Sequence, residues 1–310
     1  MRIKRALKWS AGAIALAAVS AFAIAYWRSS NACDDPGTFA PGTPMKAIVY
    51  CDYGGPEVLT VATIEKPAPA DNQLLIKVRA VGVNPFDWHY MRGTPYVMRL
   101  DGGLRKPSSI RLGVDYAGTV EAVGKSVTTF KPGDEVFGGR NGALAEYLTV
   151  LEEGAVVPKP ANVTFEQAAS VGIAGITALQ ALRDRGQLQR GQKVLILDNV
   201  GNRSLADFRR VLKPEGKYVL IGGGGPEDHR WIGPLGRVVQ TLLLSPFVSQ
   251  DVGMFLSDLN KADLAVLCDL MEAGQVTPVI DRRYPFDKAA DAIRYLETGR
   301  ARSKVVVTAG

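Results

Sequence analysis

The reading of the fold turns on TFEQAASVGIAGITALQALRDRG, residues 164–186, and on KVLILD, residues 193–198. Thr164 with Gln167 three residues on has the form of a capping box, and apolar residues then recur at helical spacing until Gly186. KVLILD is a continuous apolar run, the signature of a strand buried on both faces. Beyond it, helix and strand signals alternate: SLADFRRVL, KYVLIG, IGPLGRVVQTLLL, FVSQDVGMFL, ADLAVLCDLMEAG, DKAADAIRYLETG and SKVVVTA. Such alternation predicts an α/β unit with a parallel, doubly wound sheet.

Upstream the pattern is different. MKAIVYC, VLTVATI, QLLIKVRAVGV, DYAGTVEAVG, DEVFGG and AEYLTV are short strand signals parted by GG, KPGD and GRNG. They predict a compact antiparallel barrel or sandwich, interrupted by one helix, PFDWHYMRG, which Pro85 opens. The 310 residues leave room for two domains at about 100–200 residues each. The mixed composition excludes a disordered chain, a collagen-like repeat and a disulfide-stapled miniprotein.

Residues 1–44 read as leader and linker. MRIKRALKW is cationic, an uncharged apolar run follows from Ser10 to Trp27, and residues 34–44 are rich in Gly, Pro and Thr. The run is at the lower length limit for a membrane helix, with Tyr26, Trp27 and Arg28 suited to the interface. An uncleaved single-pass anchor is the first reading. A removed signal peptide ending near Ala32 and a start at Met45 stay open beside it. Charge placed before the run favours a domain on the outer side of the membrane. The leader carries half of the net charge of +6, and the rest forms no basic stripe, which argues against nucleic acid. Cys33, Cys51 and Cys268 fit no metal spacing and no obvious pairing; Cys51 and Cys268 read as small buried hydrophobes.

VGVNPFDWHYMRG, LGVDYAGTVEAVG, FKPGDEVFG, LAEYLTV, FEQAASVGIAGITALQAL, GQKVLI, LDNVG, LKPEGKYVLIG, GQVTPVIDRRYPFDKAADAIRYLETG and RSKVVV follow one another in order. Together they resemble the zinc-free quinone-reductase branch of the medium-chain dehydrogenase/reductases over nearly all of residues 45–310. The resemblance implies a GroES-like barrel, residues 45–163, and a Rossmann-like domain, residues 164–276. A last segment, residues 277–310, would return to the barrel. It also implies hydride transfer from NADPH or NADH to a quinone, enone or carbonyl. Dimers are common in the family, and a homodimer stays open here.

The resemblance implies the site residues as well. Asn84 and Asp87 match its VNPxD stretch at the nicotinamide and substrate cleft, with His89 beside them as a proton donor. The plainer readings are that Asn84 caps the following helix and that His89 is a surface residue. Asp115 reads as ordering its strand turn rather than acting as a base, and Tyr96 as a cleft-rim residue or a cover over the substrate. Thr177 stands where relatives place a threonine near the nicotinamide, or bonds back to its own helix. Asn199, Gly222 and Gly223 would line the cofactor, although a Gly run is more often a turn. Lys304 would reach a cofactor phosphate or be a solvated edge lysine. Zinc-bearing relatives have Gly-His-Glu where this chain has Gly113-Val114-Asp115, so no zinc site is expected.

One expected part is missing. The first buried strand of a Rossmann domain runs into a Gly-rich turn that holds the pyrophosphate. Here KVLI is followed at once by LDNVG, which the family carries in a later strand. The gap corresponds to about 60 residues, two βαβ units, with its seam at Ile196 and Leu197. Two functional readings follow: an NAD(P)H-dependent reductase with weakened cofactor binding, or a non-catalytic, membrane-tethered remnant that binds a partner.

Overall fold

β3 (Gln73–Val83) is the spine of the barrel. Its first half pairs antiparallel with β6 (Tyr147–Leu151), and its second half with β12 (Lys304–Thr308). Along its other edge runs β4 (Asp115–Val123). Irregularities in the β3–β4 register near Leu75 and Val78 let β3 bend and change partners. In the computed structural model, the described residues are 17, 19–34, 42–189, 195–198, 204–214, 216–222, 236, 239, 240, 243 and 251–309.

The sheet continues through β5 (Glu135–Gly139) to β7 (Val156–Pro158), a short strand the sequence pattern does not signal. At the other end, β11 (Ile280–Pro285) lies parallel to β12, with the helix Ala289–Glu297 crossing between them. A hairpin of β1 (Pro44–Val49) and β2 (Thr60–Glu65) is tied to the barrel through Ala47 with Ala145 and Val49 with Arg111. Ile48, Leu74, Ile76, Tyr116, Leu148 and Val305 fill the barrel.

The predicted helix over residues 164–186 forms in two pieces. The Thr164 capping box is present: Gln167 N–H donates to Thr164 Oγ1, and Thr164 N–H to Gln167 Oε1. The turn Phe165–Ala168 then gives way to a helix over Gly172–Gln180 that widens into a π-helical turn, Ala181–Arg185. This helix and Lys261–Glu272 cover the outside of β4, β5 and β7. Ile176, Leu264, Leu267 and Met271 bury against Phe137 and Val157. Burial of each such large side chain contributes about 1.5–3 kcal/mol.

β8 (Leu195–Asp198), β9 (Lys217–Leu220) and β10 (Asp251–Met254) form a separate parallel sheet in the order β10-β9-β8. The helix Leu205–Val211 crosses between β8 and β9. Among the described residues the strand order is sequential, with none of the reversal that marks the ligand crevice of a doubly wound sheet.

Two expectations change at the N-terminus. Cys33 and Cys51 are joined in a disulfide with Cα atoms 5.7 Å apart, so Cys51 is no unpaired buried hydrophobe. Cys268 is the free cysteine among the described residues and is half-buried, as the sequence reading had it in part. Residues 19–27 are helical, but among the described residues no helix is long and apolar enough to cross a membrane. Most of the first half of the apolar run, residues 10–16, lies outside the described residues.

Candidate active site

Asn84 ends β3's excursion and begins the helix Pro85–Arg92. Its backbone N–H donates to Asp87 Oδ2 at 2.7 Å, the reciprocal half of a capping box. The side-chain amide is turned elsewhere. Nδ2 donates to Gly82 O at 3.2 Å and to Asp115 Oδ2 at 3.0 Å, while Oδ1 accepts from Lys304 Nζ at 2.6 Å. Both readings of Asn84 therefore apply to different atoms of one residue: its backbone belongs to the cap and its amide to the cleft network.

Asp115, fully buried at the start of β4, is the hub. Besides Asn84 it accepts from Ile173 N–H at 2.8 Å, in the first turn of the helix Gly172–Gln180, and lies 3.6 Å from Lys304 Nζ. A carboxylate there complements the positive end of the helix. Burial pushes its pKa up, while Lys304, Asn84 and the Ile173 amide pull it back. Gly172 permits this approach: a Cβ there would meet Asp115 Oδ1 at 2.3 Å.

Asp87 is buried as well and accepts from Gly113 N–H at 2.9 Å. Burial raises its pKa to about 7 against the pull of the Asn84 and Gly113 amides. Gly113 holds φ at +85°, and a Cβ there would strike Leu144 N at 2.7 Å, so the turn into β4 requires glycine. Asp87 is a positioning residue: it fixes the helix start to the β4 entry.

His89 is half-buried and stacks on Trp88 with ring centroids 3.7 Å apart. Its Nδ1 is 2.7 Å from Thr94 O. A carbonyl only accepts, so Nδ1 carries the proton and Nε2 is left as a lone pair in the neutral ring. Burial lowers its pKa and favours that neutral form. Nε2 of this tautomer is an acceptor, so the expected donation of a proton needs a prior protonation of the ring.

Lys304 opens β12 with its side chain 18% exposed, which makes it neither a solvated edge lysine nor a free cation. Asn84 Oδ1 takes one of its three donors, and the Asp115 carboxylate pairs with its charge at 3.6 Å. Thr177 lies one turn beyond Ile173 on the same helix face. Its hydroxyl donates to Ser257 Oγ at 2.9 Å rather than back to its own helix. Nearby, Gln180 and Arg183 hold the segment after β10 through Asp258 and Asp263. Tyr96 lies in the loop after His89 with the Arg99 guanidinium 4.8 Å from its ring centroid. Gly222 is half-buried two residues past β9; Asn199 and Gly223 lie outside the described residues. Among the described residues no three His, Cys, Asp or Glu side chains gather where they could hold a metal ion.

A barrel with a covering helix pair and a parallel sheet, carrying this cleft, matches known families. Residues 70–161 match the alcohol dehydrogenase GroES-like domain, and residues 177–307 the zinc-binding dehydrogenase domain. A quinone oxidoreductase of Lama guanicoe is 37% identical, the match covering 85% of this chain and 97% of that protein. The chain belongs to the medium-chain dehydrogenase/reductase superfamily, as a quinone-oxidoreductase-like member. The 2-methylene-furan-3-one reductase of Solanum lycopersicum is 31% identical over 85% of this chain and 79% of that protein. A solved quinone oxidoreductase from Coxiella burnetii superposes with a TM-score of 0.69 at 24% identity, over 86% of this chain and all of that one. This last likeness concerns the fold.

The hub was only partly legible in sequence. Asn84 meets Asp87 at the helix start and Lys304 through its amide, but Asp115, which accepts from Asn84 and from Ile173 and lies beside Lys304, joins positions 58 apart in the chain.

Proposed function

We propose that this chain is an oxidoreductase of the zinc-independent quinone and enone reductase type, with NAD(P)H as hydride source held weakly. The observation that carries the chemistry is the buried Asn84–Asp115–Lys304 network, which fixes an ammonium and an amide beside the helix bearing Thr177. A further N–H of the Lys304 ammonium would orient a carbonyl oxygen and stabilise negative charge arising on it. The relatives support the substrate class: one is named an NADPH-dependent alkenal/one oxidoreductase and others quinone oxidoreductases. A solved quinone oxidoreductase of Escherichia coli, TM-score 0.67 at 19% identity, is described as complexed with NADPH.

Among the described residues, the start of the helix after β8 does not suit a dinucleotide's pyrophosphate. The helix that follows, Leu205–Val211, has its N-terminus taken by its own acid: Asp207 Oδ2 accepts from Ser204 Oγ at 2.7 Å, and Asp207 N–H donates to Ser204 Oγ at 3.2 Å. A carboxylate there opposes a phosphate electrostatically. The alignment with the Lama protein supports the missing segment. It runs over 329 positions but takes up 85% of 310 residues, about 264, which leaves about 65 positions without a counterpart here. The Asp207 cap, and the sequential strand order among the described residues, also favour the second reading, a non-catalytic, membrane-tethered remnant whose barrel or exposed sheet edge binds a partner.

Fluorescence titration with NADPH, followed by turnover with phenanthrenequinone, separates the two. Weak, millimolar binding with turnover only at high cofactor is the expected result. Micromolar affinity would overturn the weakened site, and a stably folded chain with no turnover at saturating cofactor would establish the non-catalytic reading.

A further inference from the structure

The leader and the cleft are connected by a series of contacts that neither domain requires. Residues 94–112 leave the Pro85–Arg92 helix and return to it: His89 holds Thr94 O at one end, and Asp87 holds Gly113 N–H just past the other. Tyr53 braces this loop by donating to Gly102 O and Gly103 O, at 2.7 and 2.5 Å. Two residues before Tyr53 is Cys51, bonded to Cys33. Asn31 Nδ2 donates to Cys51 O at 2.6 Å, Ser29 Oγ accepts from the backbone of Arg105 and Lys106 at 3.3 Å, and Lys106 pairs with Asp34. The Arg105 guanidinium sits 5.8 Å from the Trp27 ring centroid. Residues 27–34 are thus fastened to the segment after β1 by the disulfide and to the cleft loop by several polar ties.

The helix over residues 19–27 enters this fastening uncovered. All of its residues are exposed, Phe22 56% and Trp27 73%, and Leu100 of the cleft loop is exposed as well, 72%. A helix apolar on every side belongs in a core or a bilayer, and no part of the described protein covers it. Tyr26 and Trp27 at its end, with Arg28 and Arg105 beyond, form the aromatic and cationic collar suited to an anionic headgroup layer. Nine helical residues span about 14 Å, half of a bilayer's hydrocarbon core. A disulfide persists in oxidising compartments, where NAD(P)H is scarce.

We propose that the Cys33–Cys51 disulfide staples a bilayer-seated helix to the segment whose Tyr53 braces the cleft loop, so that the barrel is held against an anionic membrane in an oxidising compartment with residues 94–112 facing the lipid. The placement does not depend on turnover and is testable without it.

The full-length chain, folded under oxidising conditions, is first mapped by differential alkylation, which should find Cys33 joined to Cys51 and Cys268 free. It is then mixed with phosphatidylcholine vesicles containing phosphatidylglycerol, and hydrogen exchange of residues 94–112 is followed. Vesicles should slow exchange in this loop about tenfold in the stapled chain. Dithiothreitol added to the folded chain, or a Cys33→Ser, Cys51→Ser variant, should keep vesicle binding and lose the loop's protection. Free thiols in the oxidised preparation would overturn the proposal. So would a failure to bind vesicles, a defined oligomer formed through the helix instead, or equal protection with and without the staple. Activity enters none of these readouts, so loss of the reductase reading leaves them unaffected.

Discussion

Replacing Lys304 by Met tests the hub directly. The substitution keeps the aliphatic stem on β12 and removes the charge that sits 3.6 Å from a fully buried Asp115. Breaking a buried pair by deleting one partner costs about 3–5 kcal/mol. Asp115 keeps two donors, Asn84 Nδ2 and Ile173 N–H, and Lys304 is partly exposed, which places the loss near the lower end, about 3 kcal/mol. At about 2–4 °C per kcal/mol, the midpoint of thermal unfolding should fall by about 6–12 °C. The pH dependence identifies the cause. Burial already raises Asp115 above the ordinary carboxylate value, and without Lys304 it rises further. Below the folded pKa of the unsubstituted chain the carboxyl is protonated in both folded proteins and the loss is small. As pH rises past it, Asp115 ionises beside Lys304 in the unsubstituted chain but resists in the variant, so the deficit grows until the variant's higher folded pKa is passed. Melts recorded from pH 5 to pH 8 should therefore diverge upward, and adding Asp115→Asn to the variant should recover most of the stability at pH 8. A fall under about 2 °C, or a deficit flat across this range, would refute a buried Asp115–Lys304 pair.

Three further outcomes follow from the same contacts. Asp87→Asn should flatten the fall of stability between about pH 4 and pH 7. A carboxyl whose folded pKa is about 7 favours folding in its protonated form and loses that contribution as pH rises; denaturant midpoints across the range measure it. Gly172→Ala, which drives a Cβ to 2.3 Å from Asp115 Oδ1, should cost about 2 kcal/mol or more and loosen the Ile173 amide, read as faster hydrogen exchange there. Reduction of Cys33–Cys51 opens a loop with a sequence separation of 18 residues, worth about 3 kcal/mol of chain entropy, so dithiothreitol should lower the barrel's melting midpoint by about 6–12 °C.

Local signals carried the architecture a long way. The alternating strands of residues 45–163 appear as β1 to β6, the Thr164 capping box forms with both of its bonds, and the segment after β11 comes back to pair with β3. These features depend on neighbours a few residues apart, whose periodicity and caps are written in order along the chain. β7 was missed because three residues, Val156–Pro158, give no period to read. The break at 169–171 was missed because its cause lies elsewhere: Asp115 takes the Ile173 amide and sets where the second helix begins.

The sequence by itself determined most strand and helix types among the described residues, the superfamily, the lack of a Gly-rich turn directly after KVLI, and Asn84, Asp87 and Lys304 as separate site candidates. Only the tertiary structure decided which atoms they present. Asn84 turns its amide to Asp115 and Lys304, His89 directs its proton to Thr94, and Cys33 closes on Cys51. The physical reason is range. Secondary structure is selected by interactions within a few residues, whereas a hydrogen bond or disulfide needs two groups brought within a few ångströms by the packing of segments distant in the chain. Spacing along a sequence does not measure that distance.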